Sequence, residues 1–227
     1  MARLARVVAP DMPHYLTERG NRGLPTFFRK DDYGFYLDLM REWCTRHEVD
    51  IWAYCLMPNH VNLVAVPQTE EGLCFATKWR AIGETHRRYT LHVNARKKWR
   101  GHLWQGRFAS FAMDEDHLLS ALRYIELNPV RAGVVEKPDD YAWSSARAHL
   151  SGEDDRLVSI QPMLSMIGDW QAYLAMDLAD EEAARIRLHE RTGRPLGSPG
   201  WLARLEQVLD RSITPKKRGP NGPRKND

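Results

Sequence analysis

A histidine and an asparagine stand two positions apart in Leu56-Met57-Pro58-Asn59-His60-Val61-Asn62-Leu63, a segment set between apolar runs. Side chains alternate faces along a strand, so His60 and Asn62 are expected to point one way while Val61 and Leu63 enter the layer behind. Downstream, Arg123-Tyr124-Ile125-Glu126-Leu127-Asn128-Pro129-Val130-Arg131-Ala132-Gly133 reads as a helix end with Tyr124 and Asn128 one turn apart. These residue types suit a tyrosine nucleophile beside a metal. A phenol with an ordinary pKa of about 10 attacks poorly at neutral pH unless its electrophile is polarised or its phenolate is stabilised. A divalent cation on a non-bridging phosphate oxygen supplies the polarisation. One imidazole (His60) with the amide oxygens of Asn62 and Asn128 suits Mg²⁺ or Mn²⁺ better than zinc. Pro129 pulls against this, because it disfavours helical geometry at the preceding residue and leaves Asn128 readable as a plain helix terminus. Singly, a strand histidine or a helix tyrosine is more often structural, so the weight rests on the combination.

The elements that must position these groups follow from the pattern along the chain. A strand is expected near 14–18, then a turn through Arg19-Gly20-Asn21-Arg22-Gly23. A helix capped by Asp31 or Asp32 runs to about His47, with Tyr36, Leu39, Met40 and Trp43 at helical spacing. Extended runs over 51–57 and 61–66, hinged at Pro58-Asn59, form a hairpin. A helix over about 71–93, an extended segment over 107–113 and a helix over 114–127 complete the series. The order β-α-β-β-α-β plus a helix defines an α+β, ferredoxin-like (split βαβ) antiparallel sheet with helices on one face and the other face open for binding. Residues 1–134 form this unit. Residues 135–210 form a mostly helical C-terminal extension with a helical stretch over 170–191 and another over 201–209, and 211–227 form a basic tail rich in proline and glycine, without the means to build a core.

Of the 227 residues, 43% are hydrophobic, enough for a buried core, and no apolar run approaches the length of a membrane span, so a cytoplasmic protein without a membrane is expected. Three cysteines without CxxC spacing indicate neither a disulfide framework nor a thiolate zinc site. The net charge of +3 is modest, but from Lys78 to Arg107 the bases Arg80, Arg87, Arg88, Arg96, Lys97, Lys98, Arg100 and Arg107 accompany a single acid, Glu84, with Trp79, Tyr89, Trp99 and Trp104 interleaved. Phosphate neutralisation together with base stacking calls for such a mixture.

The segments Met57 to Leu63, Leu103-Trp104-Gln105-Gly106-Arg107-Phe108, Tyr124 to Gly133 and Trp143-Ser144-Ser145-Ala146 resemble the single-tyrosine HUH transposases, in particular the REP-associated tyrosine transposases. The likeness runs from about Ala5 to His149, with a weaker echo in Thr192 to Gly197. It implies cleavage and strand transfer of single-stranded, hairpin-forming DNA through a covalent 5′-phosphotyrosine, with a divalent metal and no ATP, in a monomer or homodimer. By the resemblance Tyr124 takes the place of the nucleophile, His60 that of the first metal histidine and Asn128 that of a further polar ligand. DNA would be gripped by Arg19, Asn21 and Arg22 and by the basic stretch, represented by Arg87, Arg88, Lys97, Lys98, Arg100, Trp104 and Arg107.

One position departs from the family. Its pattern is His-hydrophobic-His, and here Asn62 replaces the second histidine. Asparagine is a legitimate hard-metal ligand, so reduced metal-dependent activity is one expectation, and a DNA-binding protein that no longer cuts is the other. An RNA-binding module of the same β-α-β-β-α-β plan would need closely spaced strand aromatics, which Leu63-Val64-Ala65-Val66 lacks. A two-metal hydrolase would need a carboxylate cluster, and none is legible.

Overall fold

A computed structural model describes residues 7–68 and 80–214. Strands β1 (His14–Arg19), β2 (Val49–Met57), β3 (His60–Pro67) and β4 (Ala109–Ala112) lie in the spatial order β2-β3-β1-β4, all antiparallel. Helices α1 (Lys30–Arg46) and α2 (Arg80–Lys97) connect them in the expected β-α-β-β-α-β order, and α3 (Glu115–Glu126) follows. The fold class read from the sequence is the fold observed. The start of the helix expected over 71–93 lies outside the described residues. Pro58-Asn59 closes the β2–β3 hairpin, and the register Met57↔His60 and Cys55↔Asn62 keeps His60 and Asn62 on one face of a central strand.

Helices cover both faces of the sheet. Leu16, Leu56, Val61 and Leu63 face α1 and α2, whereas Tyr15, Cys55, Val64 and Phe111 pack against Leu118, Ala121, Leu122 and Ile125 of α3. The expected open binding face is therefore corrected. β2 and β3 are buried along most of their length on both sides, as strands are when both faces of a sheet are covered.

The extension supplies the rest of that cover. After α4 (Asn128–Arg131), which closes the first unit, it contains α5 (Ala146–Ser151), α6 (Gln161–Met166), α7 (Trp170–Ala175), α8 (Asp180–Thr192) and α9 (Pro199–Val208). Its Ala148, Val158 and Ile160 join the cluster beneath α1, and its Tyr141, Trp170 and Ile186 join the cluster around α3. It also closes both sheet edges, which would otherwise present unpaired backbone groups. Along β2, Leu56 N donates to Trp143 O at 2.9 Å and Ser145 N to Tyr54 O at 3.0 Å; along β4, Leu196 N donates to Ala112 O at 2.9 Å. The single helical stretch expected over 170–191 is broken between α7 and α8, where Met176 and Ala179 adopt extended backbone. Residues 211–214 of the tail pack back, with Ile213 buried, and 215–227 lie outside the described residues. No described helix is long and apolar enough to cross a membrane.

Candidate active site and nucleic-acid cleft

Helix α3 starts where Asp114 Oδ1 accepts from His117 N at 3.2 Å, and its buried Leu118, Ala121, Leu122 and Ile125 fix which side meets the sheet. That rotation brings Tyr124, 8% exposed, to the margin of the packed face, edge-on to Tyr15 with ring centroids 6.3 Å apart. Asn128 does not trail into a loop but opens α4, where Pro129 is tolerated because first-turn N–H groups have no helical partner to lose. Asn128 Nδ2 lies 3.0 Å from His60 Nε2. On the other side of the ring, His60 Nδ1 meets Asn59 Oδ1 at 2.7 Å. Assigned from that contact, the tautomer carries its proton on Nδ1 and turns the Nε2 lone pair toward Asn128. Arg131, at the end of α4, sets its guanidinium carbon 4.0 Å from the centre of the Tyr124 ring. Tyr124, Asn128 and His60, read from separate parts of the sequence, thus converge.

Asn62 joins them less directly. It is 2% exposed, and its Oδ1 lies 3.1 Å from the Tyr15 hydroxyl, which in turn is 3.0 Å from Glu190 Oε1 on α8. The Tyr15 hydroxyl faces both acceptors and has one proton to give, so it links Asn62 to Glu190 by donating to one of them at a time. The other Glu190 oxygen pairs with Arg19 Nη2 at 3.5 Å. Arg19, expected on the DNA grip, therefore belongs to the Tyr124 side of the molecule.

The electrostatics follow from this enclosure. Burial lowers the His60 pKa to about 4, with Arg19 and Arg131 adding to the effect, so the ring is neutral at pH 7 and its Nε2 lone pair, which faces the Asn128 amide, is unprotonated. Burial and the Glu190 charge push the Tyr124 phenol up, against the opposing pull of Arg131, Arg187 and Arg19. His60 Nε2 and the Asn128 amide oxygen make a partial donor set for a hard divalent cation once the Asn128 amide turns its nitrogen away from the ring, while the Asn62 oxygen faces the Tyr15 hydroxyl. The described residues contain no group of three or more His, Cys, Asp or Glu able to hold a metal, so water and phosphate oxygens would have to fill the remaining positions of Mg²⁺ or Mn²⁺.

Behind the site, Glu126 is fully buried between Tyr124 and Asn128 in sequence. It accepts from Ser145 Oγ at 2.6 Å, His149 Nδ1 at 2.6 Å and Trp170 Nε1 at 2.8 Å. Three donors from the extension thereby fix the end of α3. Ser145 lies within a motif the sequence displays, but the pairing itself carries no sequence signal, and Tyr15, Glu190 and Arg131 were likewise not singled out.

The remaining candidates gather around a cleft of about 1120 Å³ between α2 and residues 98–108. Arg80, Arg87, Lys98, Arg100 and Arg107 line it, and among the described residues no carboxylate does. Trp104 is corrected from a stacking platform to a core residue: it is 6% exposed and packs with His86, Tyr36, Tyr89 and Phe27. The exposed ring is Trp99, at 49%. Lys97 extends its ammonium over Phe28 and Trp99, while Arg88 lies over Trp43 beside α1 and is not part of the lining. Arg87 pairs with Glu84 at 2.8 Å. Asn21 donates to His102 O at 3.4 Å, and next to it Arg22 takes a positive φ of 57° in the turn. Gly20, which donates to Asn59 O and bridges to Trp104, packs backbone on backbone: a Cβ there would stand 2.1 Å from Leu24 O.

Residues 25–128 match the family model described as "Transposase IS200 like". A Haemophilus influenzae protein, provisionally named as a REP-associated tyrosine transposase, is 25% identical over 121 residues, which cover 50% of this chain and 68% of that protein. A solved REP-associated tyrosine transposase bound to a REP hairpin superposes with a TM-score of 0.55 at 19% identity, covering 70% of this chain and 92% of that one. Over residues 25–128 the chain is thus similar to the IS200-like transposases, and its fold is that of the solved structure. Both named relatives are REP-associated tyrosine transposases.

Proposed function

We propose that this chain nicks and rejoins single-stranded DNA at hairpin-forming elements, with Tyr124 as nucleophile and a transient 5′-phosphotyrosine. The observation that carries the reading is the convergence of Tyr124, Arg131, Asn128 and His60 at one end of the sheet, within one chain. In the forward step the Tyr124 oxygen bonds to phosphorus and the P–O3′ bond breaks. The phenolic proton passes, overall, to the departing 3′-oxygen. Reversal by a 3′-hydroxyl rejoins the strand without ATP, because the phosphotyrosine keeps the bond energy. His60 and Asn128 would hold Mg²⁺ or Mn²⁺, which when bound would polarise a non-bridging phosphate oxygen. Asn59 orients the imidazole, and its low pKa keeps it a donor of electrons rather than of protons. The cleft between α2 and residues 98–108 would take the flanking DNA, with Arg80, Lys98, Arg100 and Arg107 on phosphates and Trp99 against a base.

The test is incubation with a hairpin-bearing single strand, with and without Mg²⁺ or Mn²⁺, followed by a denaturing gel. A metal-dependent covalent adduct is expected, absent from Tyr124→Phe although that variant still binds the DNA. An adduct that persists in Tyr124→Phe moves the nucleophile elsewhere. The engagement of Asn62 by Tyr15 favours a second reading, a DNA-binding protein on this fold that no longer cuts. DNA binding with no adduct under either metal selects it.

A further inference from the structure

Among the described residues, the guanidinium of Arg131 lies on the Tyr124 ring with no internal hydrogen bond or ion pair, whereas Arg187, which also acts on the phenol, donates its Nε to Ala183 O of its own helix. Arg19 is held by Glu190, and Arg123 by Glu182. Arg131 rests on the ring at 4.0 Å and is otherwise exposed. We infer that Arg131 is a catalytic residue of the strand-transfer step, binding the scissile phosphate through its N–H edge while its carbon lies over the attacking tyrosine. This rests on the transesterification reading above.

Three observations support it. A guanidinium over an aromatic ring keeps its in-plane N–H donors free, and two parallel N–H groups match a pair of phosphate oxygens. Arg131 ends the same short helix that Asn128 begins, so one turn sets a cation beside the phenol and an amide against His60. Its charge acts on the phenol, pulling Tyr124 down against burial. As the O–P bond to Tyr124 forms and the P–O3′ bond breaks, negative charge concentrates on the non-bridging oxygens, and a fixed cation there stabilises that arrangement more than the resting diester. No oxidant, reductant or further reactant is involved.

The experiment compares single-turnover adduct formation, at saturating hairpin DNA, for the wild type, Arg131→Ala and Arg131→Lys. Each is assayed on a phosphodiester and on a methylphosphonate that removes one charge from the scissile linkage. Thermal midpoints and DNA dissociation constants are measured alongside. Arg131→Ala is expected to slow the phosphodiester reaction about 100-fold with its midpoint unchanged, as loss of one oxyanion donor does. Arg131→Lys, which keeps the charge but not the flat fork, is expected to recover only part of that loss. On the neutral linkage the gap between wild type and Arg131→Ala should shrink at least tenfold, a response that a merely structural role for Arg131 would not produce. Wild-type rates in Arg131→Ala, or an equal deficit on both linkages, overturn the inference while leaving the tyrosine mechanism standing. Absence of any wild-type adduct overturns both.

Discussion

Around Tyr124 most polar side chains already have protein partners: His60 has Asn59 and Asn128, Tyr15 has Asn62 and Glu190, and Arg19 has Glu190. Beyond Gly20, the α2 cleft presents Arg80, Lys98, Arg100 and Arg107 on exposed chain and, among the described residues, has no carboxylate in its lining. The two regions meet at one end of the sheet, where Gly20 N donates to Asn59 O, Asn21 N to Leu103 O and Gln105 N to Arg19 O. Their difference follows from what each has to do. Positions for bond-making must be held before substrate arrives, which requires buried and mutually satisfied groups. A surface for a polyanion gains affinity from cations whose counterions it can release.

If the first region is held by its interior, the largest effect on stability should come from Glu126, which touches no substrate. Glu126→Ala strands the donors of Ser145, His149 and Trp170 in an apolar cluster, so unfolding in urea should become easier by about 3–5 kcal/mol. Arg100→Ala in the cleft should shift it by less than about 0.5 kcal/mol. Equal midpoints for the two variants would erase the distinction between the regions.

Acidification sharpens the same contrast on a smaller scale. His60 sits in the site and His14 in the sheet beneath, and burial lowers the pKa of both to about 4. Unfolded, each titrates near its ordinary value of about 6.5. Between those values the unfolded chain binds more protons than the folded one, so stability is complete above about pH 6.5 and falls as pH drops toward about 4. Each ring contributes up to about 3 kcal/mol, on the conversion of about 1.4 kcal/mol per pKa unit. For His14 the cause is visible in its contacts, since Nε2 accepts from Ala9 N at 3.1 Å and cannot do so once protonated. Denaturation midpoints at pH 7.5 and 5 should therefore differ less in His14→Gln than in the wild type. An unchanged difference would mean that His14 is not among the groups responsible. The arginines of the cleft stay charged throughout this range and contribute no slope.

How far the sequence discloses each region depends on the range of the interactions that build it. The strand and helix order, the shared face of His60 and Asn62, and the one-turn spacing of Tyr124 and Asn128 are local periodicities, and the structure reproduces them. Glu190 reaches Tyr15 across 175 positions and Ser145 reaches Glu126 across 19, contacts that no local pattern encodes. The cover on the second sheet face is long-range in the same way, since α3 folds back onto it and the C-terminal extension completes it. Trp99 and Trp104 are alike in composition and charge context; only packing against His86 and Phe27 decides that Trp104 belongs to the core.

The smallest expected effect lies in the cleft and concerns salt. Replacing Lys98, Arg100 and Arg107 together by alanine removes three cations that line it without disturbing a packed side chain. If each meets one phosphate of a single strand, the slope of log K against log salt should flatten by about 0.7 per contact, roughly 2 in all. Trp99→Ala should weaken binding by about 1–3 kcal/mol at every salt concentration and leave the slope alone, because stacking releases no counterions. Adduct formation at saturating DNA should survive both changes, since neither touches the groups around Tyr124. A triple variant with the wild-type salt slope would take the DNA path out of this cleft. A triple variant that binds normally yet fails to react would mean that these cations act on the site itself, so that the two regions are one.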